Sequence, residues 1–203
     1  MAVLALKISG PLQTWSIDRS PNRRQAFTQA MPTKSGCVGL LACAQGRART
    51  EDISDLNALR FGVRMDKFGT KVTDYQIAKP GDDSKNTYIS EVEYLEDATF
   101  VVAFESDNKD FLEQLRKDVM HPVYPIYLGR KKCVPDPHII IGIYDGSLEE
   151  VLTDDRIPRF GSDDNPPVYV ETTNRPDNFI NDYAETFDPE KRSRRMRGYR
   201  KVQ

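Results

Sequence analysis

The residues with the most evident chemistry lie in "PIYLGRKKCVPD", Pro125 to Asp136, where one glycine is followed by three consecutive cations, a cysteine and a proline. Gly129 permits a backbone conformation closed to other residues, or a close backbone approach. Arg130 has the fork geometry to grip a phosphate with two donors, and Lys131 and Lys132 are point charges suited to a polyanion. A solvated basic turn accounts for the same residue types. "PTKSG", Pro32 to Gly36, is a second candidate. It sets Lys34 and Ser35 at a helix start, where unpaired N–H groups and the helix dipole favour an anion. A plain cap explains it equally well. Tyr75 and Tyr88, with Lys71, Lys79 and Lys85, give the aromatic and cationic mix that stacks and steers single-stranded nucleic acid. Arg19, Arg23 and Arg24 form a further basic stretch, and "KRSRRMRGYRK" a basic tail.

Nucleophilic and metal chemistry find little support. His121 and His138 are the only histidines, there is no GxSxG elbow, and no carboxylate cluster has convincing metal spacing. Cys37, Cys43 and Cys133 are odd in number and form no CxxC pair, which suits reduced structural thiols, Cys133 among them as a buried anchor beside the basic loop. The expectation is therefore no catalytic residue, no metal and no cofactor.

The elements that must position these residues follow from the pattern. With 203 residues and 38% hydrophobic content the chain can bury a real core. "AVLALKISG" is an apolar strand, "PTKSGCVGLLACAQG" a capped helix ended by Gly46, and "ALRFGVRMDK" an alternating strand. Residues 68–93 give two polar β-prone arms around "KPGDDSKN", which reads as a projecting hairpin. "YLEDATFVVAFES" is a strongly apolar strand, "DNKDFLEQLRKDV" a capped amphipathic helix, and "HIIIGIYDG" a further strand after the basic loop. This order predicts an α+β fold over residues 1–144, a ferredoxin-like (RRM-like) antiparallel sheet with two helices on one face. Residues 145–203, rich in Asp, Pro and Asn with "PVYVETT" as the one clear strand, are expected to be a small loop-rich β appendage with a basic tail. Charge is partitioned accordingly: 19 Lys and Arg against 18 Asp and Glu in residues 1–144, 3 against 13 in 145–190, and 7 against none in 191–203. No run reaches the roughly 18 apolar residues that cross a bilayer, and the N-terminus lacks a basic signal region, so a cytoplasmic protein with no membrane contact is expected.

"LKISGPLQTWS", "PTKSGCVGLLACAQG", "EYLEDATFVVAF" and "YPIYLGRKKCVPD", in this order and spacing, resemble the CasD family of type I-E CRISPR surveillance complex (Cascade) subunits, in the RAMP superfamily. The resemblance covers about residues 1–144. It implies a non-catalytic subunit that holds the 5′ handle of the guide crRNA, caps the backbone filament and projects a thumb hairpin, here at about 68–93, against a neighbouring CasC backbone subunit. CasA is implied as a further partner, and target DNA is met only through the complex, by guide pairing. The family's basic loop maps onto Leu128, Gly129, Arg130, Lys131 and Lys132, and its helix-start motif onto Lys34, Ser35 and Gly36; Arg23, Arg24 and Tyr75 complete the expected RNA-binding set. Kinship with subunits that cut precursor RNA through tyrosine, lysine and histidine supplies the alternative, a metal-independent endoribonuclease acting on CRISPR repeat RNA. Here that site would have to borrow His121 or His138.

Overall fold

The computed structural model describes residues 1–17, 25–78, 87–191 and 193–203. Its first strand, β1 (Ala2–Ser9), is a nearly unbroken apolar run because both of its faces are covered. Leu4, Leu6 and Ile8 face one core and Val3 and Ala5 another. After β2 (Leu12–Gln13) and β3 (Gln25–Ala26), helix α1 (Lys34–Ala44) starts at Thr33, whose side chain accepts from Gly36 N, and packs Val38 and Leu41 into the first core. The one-turn α2 (Ser54–Asn57) leads into β4 (Arg60–Lys67). β5 (Thr70–Ala78) and β6 (Tyr88–Glu96) pair antiparallel over nine positions, and β7 (Thr99–Ser106) follows. Helix α3 (Lys109–Met120), capped by Asn108, buries Leu112, Leu115 and Val119 beside α1, and β8 (Ile140–Asp145) returns to the sheet.

One expected strand is two. "EYLEDATFVVAF" turns at Asp97, whose φ of 56° is a left-handed conformation that aspartate tolerates, so the chain leaves β6 in a small second sheet and enters β7 in the main one.

The expected appendage is instead part of the main sheet. Helix α4 (Leu148–Thr153), β9 (Val168–Glu171), β10 (Asn178–Ala184) and β11 (Arg194–Lys201) complete a seven-stranded antiparallel sheet in the order β10-β11-β9-β4-β7-β1-β8. Leu148, Val151, Leu152 and Ile157 cover the face that carries Val3, Ala5, Val101, Ala103, Val168 and Val170. A division at residue 144 would expose that face to water. At the start of α4, Ser147 and Glu150 form a reciprocal capping box.

The layer also covers the polar side of β4. Arg64, 1% exposed, donates to Asp66 at 2.7 and 3.0 Å and to the carbonyl of Pro158 at 2.6 Å, while Asp66 also accepts from Phe160 N. At the rim, Glu149 accepts from Arg60 (Nη1, 2.9 Å) and Arg200 (3.0 Å), and the Arg60 hydrogen bond holds its carboxyl down at about 2. A depressed carboxylate stabilises the fold above its ordinary value of 4.5, and that contribution is lost as pH falls through about 2. Glu149→Gln should therefore flatten the acid limb of a stability–pH curve and cost about 1 kcal/mol at neutral pH, a discounted figure for a partly exposed cluster. Chemical denaturation at pH 7, 4 and 2.5 checks it; equal losses for both proteins would show that the cluster is not the acid-sensitive element.

Candidate nucleic-acid interface

The basic loop is built from inside outward. Leu128 is fully buried, its N–H donates to Cys133 O (2.8 Å) and its carbonyl accepts from Thr14 N (3.1 Å). Cys133, 1% exposed, donates its N–H to Arg130 O at 2.8 Å, closing the turn. Leu128 is thus an anchor rather than a ligand-facing residue: its side chain and both backbone groups are committed inside. Gly129 has φ +88°, and a Cβ there would stand 1.7 Å from Thr14 O. Both glycine readings hold, but the backbone that approaches is the chain's own.

The turn presents its cations to a cleft of about 370 Å³ lined by Arg49, Gln76, Tyr94, Tyr127 and Gly129 to Lys132. Among the described residues, no ion pair or side-chain hydrogen bond engages Arg130 or Lys131. Lys132 differs: its ammonium donates to Asp74 Oδ2 at 2.6 Å and sits 4.4 Å from the centre of the Tyr94 ring. That hydrogen bond leads the effects that raise its pKa. The cleft opens into a larger groove, about 1550 Å³, that runs across α1 at Gly36, Gly39 and Cys43 toward Phe187 and Arg194. Arg47, on the groove wall, is paired with Asp55, whereas Arg49 beside it is exposed. Burial pushes the Cys43 thiol up, which keeps it neutral beside the carbonyls of Tyr124 and Pro125.

The helix-start expectation for Lys34 is overturned. Its ammonium, on a residue 1% exposed, is held by Glu171 (2.9 and 3.1 Å) and Asn57 O (3.0 Å). The anion at the start of α1 is Asp182, which accepts from Lys34 N at 2.8 Å. The helix dipole is thus satisfied internally, with no vacancy for a phosphate on Lys34. Ser35 is 6% exposed and Gly36 lies against Trp15, yet both line the groove. Tyr75 is not brought to the cleft. In the β5–β6 register Asp74, Gln76 and Tyr94 share one face, and Tyr75, Ile77 and Ile89 share the other, 57–69% exposed. Arg23 and Arg24, with Arg19, Lys79 and Lys85, lie outside the described residues. His121 caps the C-terminus of α3 and His138 sits at φ 63°, both exposed and neither lining the cleft or groove. Sequence reasoning missed Arg49, Gln76, Tyr94, Tyr127 and Phe187, which come from five separate segments and share no local spacing.

Among the described residues, no group of three or more His, Cys, Asp or Glu is placed to hold a metal ion, and no helix is long and apolar enough to cross a membrane.

The chain resembles known proteins along nearly its whole length. Residues 3–202 match the family described as CRISPR-associated protein (Cas_Cas5). The CRISPR system Cascade subunit CasD of Escherichia coli (strain K12) is 33% identical over 150 residues, a match spanning 64% of this chain and just under two thirds, 66%, of that protein. Among solved structures, a chain of a CRISPR RNA-guided surveillance complex aligns with TM-score 0.82 at 25% identity, covering 98% of this chain and 89% of that one. A structure described as a Cas protein aligns with TM-score 0.75 at 31% identity, covering 98% and 93%. The α+β architecture built on a large antiparallel sheet is shared with these structures, and the chain belongs to the Cas5 family of CRISPR-associated proteins.

Proposed function

We propose that this chain is a non-catalytic subunit of a type I-E CRISPR surveillance complex, in which its basic cleft and groove hold the 5′ handle of the guide crRNA. In this reading the β4-β7-β1-β8 strand order, with α1 and α3 on one face, is a ferredoxin-like core. The β5–β6 hairpin is the thumb, set against a neighbouring CasC subunit. The chain caps the backbone filament, meets CasA as a further partner, and contributes to target recognition only through guide pairing.

The observation that carries this reading is the pair of cations Arg130 and Lys131, without an ion pair or side-chain hydrogen bond among the described residues, at the mouth of a groove with aromatic walls. Such a surface suits a single strand held through its phosphates, with bases laid against rings. Replacing Arg130 and Lys131 together by alanine should lower handle-RNA affinity about thirtyfold at moderate salt, and reduce the slope of log K against log salt by about 1.4, or 0.7 per lost phosphate contact. Titration in the assembled complex and with the isolated chain measures both. Unchanged affinity and slope would remove the loop from the RNA site, and RNA cleavage by the purified chain in EDTA would contradict the non-catalytic assignment.

A further inference from the structure

The third cation of the loop does not face the groove. Lys132 reaches across to the hairpin, where it donates to Asp74 on β5 at 2.6 Å and covers the ring of Tyr94 on β6 at 4.4 Å. Gln76 Nε2 completes the contact by donating to Asp74 Oδ2 (2.9 Å) and Tyr94 Oη (3.2 Å). One lysine therefore engages both arms. The location matters because β5, among the described residues, pairs with β6 alone, while β6 is also held by β2 at Leu95 and Glu96 and by β3 at Glu91 and Val92. The same contact sets the width of the cleft, whose hairpin wall is Gln76 and Tyr94 and whose other wall is the loop.

We propose that Lys132 is a positioning residue that clamps the hairpin to the basic loop, so that the anion-binding loop and the hairpin move as one body. The inner face of the hairpin carries the clamp, and the outer face leaves Tyr75, Ile77 and Ile89 exposed. An anionic strand held by Arg130 and Lys131 then orders the hairpin, and a partner seated on its outer face orders the loop. Such coupling is reciprocal by thermodynamic linkage. The clamp itself follows from the contacts above; its coupling to RNA rests on the function proposed in the preceding section.

Amide hydrogen exchange on the full chain tests both parts, with Lys132→Met, which keeps the apolar stem and removes the charge, and with the exchanged pair Lys132→Asp with Asp74→Lys. Without RNA, exchange over 70–78 should rise about fivefold in Lys132→Met, the effect of losing an exposed ion pair and a ring contact, and return toward wild type in the exchanged pair. With a single-stranded oligoribonucleotide of handle sequence, the wild-type hairpin should gain protection. Lys132→Met should gain none, and its loss of affinity should be smaller than that of Arg130→Ala, since Arg130 and Lys131 are intact. Unchanged hairpin exchange in Lys132→Met overturns the clamp, and an affinity loss equal to that of Arg130→Ala makes Lys132 a phosphate ligand instead. Failure of the wild type to bind RNA removes the proposed function, while the comparison without RNA still decides the clamp.

Discussion

Gly129→Ala is expected to lose about 3 kcal/mol of stability and most of its affinity for handle RNA, the largest effect of any single methyl group in the candidate site. Two penalties combine. A left-handed φ of +88° strains any residue with a Cβ, and the added methyl would overlap the Thr14 carbonyl at 1.7 Å. Neither neighbour can give way locally, because the Thr14 N–H is bonded to Leu128 O in the same turn. Relief requires the turn to swing away from β2, carrying Arg130 and Lys131 with it. Gly39→Ala is the control: that glycine lies inside α1, its added Cβ would meet Phe187 at an ordinary 3.5 Å, and alanine there should stabilise by about 0.5 kcal/mol. Thermal unfolding of both variants with RNA titration separates the cases. A Gly129→Ala protein as stable as wild type would show that the turn is not under this constraint.

Where hydrophobic periodicity was strong, the sequence was a good guide. β1, α1 and α3 lie where the apolar runs and their caps place them, and Cys133 is the buried anchor that its setting suggested. The C-terminal strands were harder to see because their inward positions include charges. Asp182 on β10 and Arg197 on β11 are both buried, so "NFINDYA" and "RRMRGYR" lack an apolar alternation. The partition of charge has the same origin. Arg195 pairs with Glu185, Arg197 with Asp182 and Arg200 with Glu149, so much of the basic tail neutralises the acidic segment before it. Such pairs join separate elements of the fold, and no rule of local spacing finds them. The cleft is half legible for a related reason: "GRKK" is contiguous, but the wall that selects two of its three cations for the groove comes from the hairpin, 58 residues away along the chain at the Asp74 contact.

The heaviest loss of stability is expected at Asp182. Its carboxylate, fully buried, accepts from Arg197 Nε and Nη2 at 2.8 Å each and from the Lys34 backbone N–H at 2.8 Å, which ties the start of α1 to β10 and β11. Asp182→Ala leaves the Arg197 guanidinium, 6% exposed, without its counter-charge and removes the anion from the N-terminus of α1. Breaking a buried pair from one side costs about 3–5 kcal/mol, because the surviving charge keeps its desolvation penalty. Lys34→Met should cost less, since burial already lowers the pKa of that ammonium and methionine fills the same space. The two substitutions should be non-additive, because Lys34 and Arg197 share Asp182 and its surroundings. They also separate stability from RNA binding. Lys34 is consumed inside the fold, so Lys34→Met, measured well below its unfolding midpoint, should keep the wild-type salt slope for handle RNA. A slope reduced by about 0.7 would mean that Lys34 meets a phosphate after all, and that α1 opens on binding to release it.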